Sequence, residues 1–189
     1  MEYSAFAFLA VLVAVVNGLA IVHILNVIVY AMRQENFKSL YWVHGLWIAF
    51  QLLNHITLWW AIWSLQNTTQ MDFFKYLYLL CGPLILFLAT NSLIATVPDG
   101  QRFDTTKIFN ENRKLFFSLW ITYLLWSIFT DRLFLGEFHE SVWIQGILFA
   151  VMLGGRMSDN TRIQGAVAVS AMLILLVLIG SFALELGQF

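Results

Sequence analysis

Charge is scarce in this 189-residue chain: Asp, Glu, Lys and Arg together supply 11% of it, against about 25% in a soluble domain. So few charges cannot clothe a water-facing surface. With 60% hydrophobic residues and a mean hydropathy of +0.77, the composition is that of an integral membrane protein. The net charge of −1 offers no basic excess to a phosphate backbone, which excludes nucleic acid as a partner. Cysteine occurs once, at Cys81, so an intrachain disulfide and a CxxC metal or redox motif are excluded. Carboxylates, lysines and arginines are missing from the middle of every apolar run; Asp72 and Glu185 stand at run ends. A cation-coupled exchanger ordinarily needs an intramembrane acid, and retinal attachment needs a mid-span lysine, so neither fits. No GxSxG, HExxH or GxGD motif is present, which argues against a hydrolase and leaves no basis for an enzyme. The Trp-rich five-helix tryptophan-sensory pattern, the PQ-loop pattern of sugar transporters and a TVGYG filter are also missing.

What the chain has in abundance is long apolar runs, which predict a single all-α domain over residues 1–189 with six transmembrane helices. The first, about Ser4–Met32, follows a start (MEYSAFAF) with no basic n-region and is too long for a cleaved signal, so we expect it to be retained. Position 2 is glutamate and the C-terminus has no Cys box, so no lipid anchor is expected. The second helix is expected over about Leu40–Leu65 and the third over Asp72–Val97, with Cys81-Gly82-Pro83 inside it as a candidate kink. Pro98-Asp99-Gly100 is a stop. Pro98–Lys114 then reads as the longest connector, its charges alternating in sign, with room for a short interfacial helix. Shorter helices over Leu115–Thr130 and Glu140–Gly154 follow, and the last spans about Ile163–Leu184. Gly165, Ala166, Ala168, Ser170 and Ala171 give that last helix a small-residue flank for close packing. Two three-helix halves of inverted topology fit this count, although no residue-level match joins them.

Basic residues orient the spans. With the N-terminus outside, Arg33, Lys38, Arg102, Lys107, Arg113, Lys114, Arg156 and Arg162 fall on the cytoplasmic side, and only Lys75 and Arg132 outside. That asymmetry places both termini extracytoplasmic in a plasma or inner membrane.

The functional clue is polar residues where lipid offers them no partner. In the second helix His44, Gln51 and His55 stand at i, i+7 and i+11 and share one face, with Asn54 beside them. Matching depths across assumed turns sets Asn17 beside Asn54 and His55, His23 near Gln51, and Asn26 and Tyr30 near His44. The same matching sets Cys81 beside His55, and Asn91 and Ser92 beside His44. We therefore expect a ladder of Asn17, His23, Asn26, His44, Gln51, Asn54, His55, Asn91 and Ser92 through the first three helices.

Such a ladder suits a small channel or transporter for protons, an anion or a small neutral solute, since imidazole both donates and accepts. Two alternatives stand beside it. The polar residues can be interhelical glue in a non-transport subunit, sensor or effector. Or His23 with His44 or His55 can hold a b-type haem, although one tight hairpin leaves little room for a macrocycle. No resident cofactor is otherwise expected. His44 and His55 lie about 16 Å apart along one helix at ~1.5 Å per residue, so they cannot share a metal ion. His139 with Glu137 and Glu140 is a weaker surface metal candidate. The expected partners are the bilayer and either further copies of the chain or a larger membrane complex.

Overall fold

The computed structural model of the protein describes residues 5–33, 41–63, 72–94, 104–134, 136, 138 and 142–186. These form six helices and no strand: α1 (Ala5–Arg33), α2 (Trp42–Trp63), α3 (Phe73–Leu93), α4 (Thr105–Phe134), α5 (Val142–Met157) and α6 (Thr161–Leu186). Three of them, α1, α3 and α6, are long and apolar enough to cross a membrane. In α2 the polar stripe dilutes the apolar run. α5, with 16 residues, is about 24 Å long at ~1.5 Å per residue, short of a ~30 Å hydrocarbon core.

The largest departure from the sequence reading is α4. It begins at Thr105, ten residues before Leu115, and runs to Phe134, so most of the expected connector is helical. The cause is local. Asp104 caps the helix, its Oδ1 accepting from the backbone N–H groups of Thr106 and Lys107, both at 3.0 Å. One turn in, Lys107 and Glu111 pair at i, i+4. Lys107, Glu111 and Lys114 thus lie on the exposed face of a helix rather than in a loop, while Arg113 is buried; Asp99 and Arg102 lie outside the described residues. α5 ends at Met157, three residues later than expected, and α3 ends at Leu93, with Ile94 extended; the expected ends of α2 beyond Trp63 and of α5 before Val142 lie outside the described residues.

Neighbours touch in the order α1, α3, α4, α5, α6, α2 and back to α1, and α2 also reaches α3 and α4. α2 is therefore the enclosed helix. In the first half each helix touches the other two, whereas α4 and α6 make no direct contact among the described residues. The surface is apolar: Val11, Val15, Val22 and Val29 on α1, and Leu173, Leu176 and Val177 on α6, are all exposed. Patches of this extent are foreign to soluble monomers and suit lipid.

Inside, aromatic rings fill the space between α2 and α4. Trp47 meets Phe50, Phe116 and Phe117 at 5.0–5.4 Å between centroids in edge-on geometry, and Phe50 meets Trp120 at 4.8 Å. Trp47 Nε1 is buried and has no hydrogen-bond acceptor among the described residues. At the other end of α4, Trp126 lies on Gly82. A Cβ built there would stand 2.2 Å from a Trp126 ring carbon. Trp126 Nε1 donates to the Tyr78 carbonyl at 2.8 Å and Tyr78 Oη donates to the Trp126 carbonyl at 2.9 Å. Pro83 has no N–H to give the Leu79 carbonyl; the indole bonds the carbonyl one residue earlier, at Tyr78. On α6 the small-residue flank is used in part: Gly165, Ala168 and Ala171 are buried, with Gly165 against Trp42 of α2, while Ala166 is exposed.

Polar contacts fix which helix ends lie together. Tyr41 N–H donates to Thr105 Oγ1 at 2.8 Å, His44 Nε2 lies 2.9 Å from the Leu93 carbonyl, and Arg113 bonds the Ser158 carbonyl and Asp159. Arg33, Lys107, Arg113, Lys114, Arg156 and Arg162 therefore gather at one end of the bundle, and Lys75 and Arg132 at the other. Lys38 and Arg102 lie outside the described residues.

Candidate functional site: a buried polar cluster

Burial of Asn17 follows from its register. It stands in the middle of the one seam that α1 presents to the bundle, Leu9, Val13, Asn17, Ala20 and Ile24, spaced by three and four residues. Across that seam lies His55, 1% exposed. Asn17 Nδ2 donates to the His55 carbonyl at 3.2 Å, and Asn17 Oδ1 lies 2.8 Å from His55 Nδ1. His55 Nε2 lies 2.9 Å from Thr90 Oγ1 on α3. Thr90 also receives Gln51 Nε2 at 2.9 Å, and Gln51 Oε1 accepts from Trp120 Nε1 on α4 at 3.0 Å. Five side chains from four helices thus form one connected set.

The chemistry of the ends orients every member. A backbone carbonyl only accepts, so Asn17 turns its NH2 toward His55 O and its oxygen toward the ring. Trp120 only donates, so Gln51 offers it oxygen and gives its NH2 to Thr90. His55 Nδ1 must then carry a proton. The Thr90 hydroxyl has one proton and two acceptors in reach, His55 Nε2 and the Leu86 carbonyl at 3.0 Å. With neutral His55 the proton goes to Nε2; with imidazolium it goes to Leu86 and the ring donates to Thr90. Both arrangements leave every member partnered, and one hydroxyl rotation separates them. The neutral ring is therefore the Nδ1–H tautomer, and nitrogen-15 spectra of imidazole-labelled protein should show Nδ1 protonated and Nε2 bare. The opposite tautomer would break this orientation.

The remaining ladder residues divide. His23, half-buried, sets Nδ1 3.1 Å from Asn91 Oδ1, forming a separate pair between α1 and α3 that Phe87 flanks at 6.0 Å between rings. His44 is buried and spends Nε2 on the Leu93 carbonyl where α3 ends. Asn54 and Ser92 turn back on their own helices, to the Phe50 carbonyl at 2.7 Å and the Ala89 carbonyl at 2.7 Å. Asn26 is exposed. His23 does not meet Gln51, and His55 meets Thr90 rather than Cys81, whose thiol bonds the Leu77 carbonyl of its own helix. His44 and His55, eleven residues apart on α2, contact α3 at Leu93 and Thr90, only three apart, so these helices do not run in register.

Thr90 and Trp120 are the members that sequence reasoning missed. Among the described residues no three of His, Cys, Asp and Glu gather as a metal group, and the His139 candidate lies outside them. Both His55 ring nitrogens are engaged, so ligation of a haem iron there would have to displace Asn17 or Thr90.

The fold and the cluster define a class: an all-helical bundle with helices of membrane-spanning length and apolarity, tied internally by neutral polar groups. Comparison with known protein families, with curated proteins and with solved structures finds no match.

Proposed function

We propose that all six helices cross the membrane, with the basic end cytoplasmic and both termini outside, and that the protein works as a subunit or sensor within a membrane assembly. The topology is supported by the gathering of six described cations at one end against two at the other. The role is supported by one observation. The chain from Trp120 through Gln51, Thr90 and His55 to Asn17 begins at a group that only donates and ends on a backbone carbonyl. A proton entering it has no exit, and every one of its five side chains is hydrogen-bonded to another member of the set. The cluster therefore acts as a lock that joins α1 to α2, α3 and α4.

A small channel or transporter for protons, an anion or a neutral solute is the second reading. It draws on the half-buried His23–Asn91 pair and exposed Asn26, which continue along α1 from the cluster toward the basic end. Proteoliposomes separate the two. The lock predicts no proton, anion or small-solute flux above empty vesicles. Flux that His55→Leu with Asn54→Leu abolishes, in protein that stays folded, would replace it with the transport reading. For topology, cysteines placed at Asn67 and Gly100 should label from outside and inside respectively; outside label at Gly100 would reverse the orientation.

A further inference from the structure

One charged patch at the basic end has cations that pair with no acid among the described residues. The described acids there are committed: Glu111 pairs with Lys107 at 3.9 Å, Asp159 pairs with Arg113, and Asp104 caps α4. Lys114 on α4 and Arg156 on α5 are both exposed and have no ion pair among the described residues. They are brought side by side through Ser118. Its hydroxyl donates to the Lys114 carbonyl at 2.7 Å and accepts from Arg156 Nε at 2.9 Å, so the guanidinium lies over the turn of α4 that carries Lys114.

The backbone holds this arrangement. Gly155 lets α5 descend onto Phe117, where a Cβ would stand 2.5 Å from the ring. Arg113, buried within α4, grips the Ser158 carbonyl and Asp159 and fixes the turn that follows Arg156. Directly beside and beneath the cations the surface is apolar: Leu115 and Leu153 are exposed, and a Cβ at exposed Gly154 would meet nothing within 4 Å.

A pair of cations above an apolar groove has the chemistry of a phospholipid seat. Arg156 keeps four guanidinium N–H donors for a phosphodiester. Lys114 adds charge at the level where long cationic side chains reach the headgroups, and acyl chains lie on Leu115 and Leu153. Basic pockets between helices on the cytoplasmic side bind anionic headgroups in this way. We propose that Lys114, Ser118 and Arg156 form a binding site for the headgroup of an anionic membrane phospholipid in the groove between α4 and α5. The site rests on the six-span reading, which places it in the cytoplasmic leaflet.

The test is lipid retention by the full chain purified in detergent, with phosphatidylglycerol or phosphatidylcholine added and bound lipid counted by native mass spectrometry. Wild type should retain phosphatidylglycerol in preference to phosphatidylcholine, and the preference should fall about fivefold for each of Lys114→Gln and Arg156→Gln, with helicity and thermal stability unchanged. Arg156→Lys should keep part of it. Equal retention of the two lipids by wild type, or an undiminished preference in the double variant, would overturn the proposal. So would displacement of the lipid by inorganic phosphate, which would mark a free-anion site instead. Extraction of the protein from membranes by alkaline carbonate would sink the spanning reading itself. Absence of lipid preference in wild-type protein that resists extraction sinks the site alone.

Discussion

Replacing His55 with leucine is expected to cost about 2 kcal/mol of stability, a large effect for a single hydrogen-bonded side chain in a membrane bundle. The substitution removes both ring bonds and leaves Asn17 Oδ1 in an apolar seam without a donor. Asn17→Leu should cost a similar amount, since it strands His55 Nδ1–H. The informative variant is the double one. If the two residues act on each other, the combined loss falls short of the sum by about 1 kcal/mol, within the range seen for interhelical bonds. Reversible unfolding in bicelles reads all three values. Strict additivity would mean that Asn17 and His55 are separately accommodated and that the lock is only apparent. Thr90→Val completes the set. It removes the shared hydroxyl while keeping the shape, and should weaken the hold of α3 on both Gln51 and His55.

Gly82→Val is expected to be the most damaging small substitution in the chain, at about 3 kcal/mol or complete failure to fold. The first added carbon already stands 2.2 Å from the Trp126 ring, and its nearest neighbours are ring atoms rather than the loose end of a flexible side chain. Relief requires α3 and α4 to part, which breaks the two Tyr78–Trp126 bonds as well. Gly82→Ala/Trp126→Leu should recover much of the loss, because the clash is with the ring. Thermal aggregation of the detergent-solubilised variants, followed by size-exclusion chromatography, measures this. A Gly82→Val protein as stable as wild type would show that α3 and α4 are not in this close contact.

The helices were legible in the chain because long apolar runs and breakers define them without reference to partners. The start of α4 was not, since Lys107, Glu111, Arg113 and Lys114 read as connector when charge scarcity is the criterion for a span. Asp104, a capping residue three positions before Lys107, was the available signal. Within the cluster, the polar face of α2 was visible from spacing alone, and Asn17 and His55 do meet as depth matching expects. Thr90 was passed over between its neighbours Asn91 and Ser92. Consecutive helical residues point about 100° apart, so the three go to three places: Thr90 to α2, Asn91 to α1, and Ser92 to its own backbone. Trp120 carried no signal, because nothing in a sequence says which indole will face which amide. Asn54 shows the converse. It shares the stripe of α2, yet its amide closes on the Phe50 carbonyl, a choice that depends on what fills the space beyond it.

The seam that holds α1 has a consequence for biosynthesis. α1 precedes α2 and α3 in the chain and leaves the ribosome before them, yet among the described residues it touches only those two helices, and its polar partners His55 and Asn91 arrive later. Until α2 is made, Asn17 has no His55 to meet, and α1 docks onto a surface that the next two helices build. Its docking is the step most exposed to rival partners, so a neighbouring subunit that offered Asn17 an amide or imidazole during synthesis would compete with the chain's own second helix.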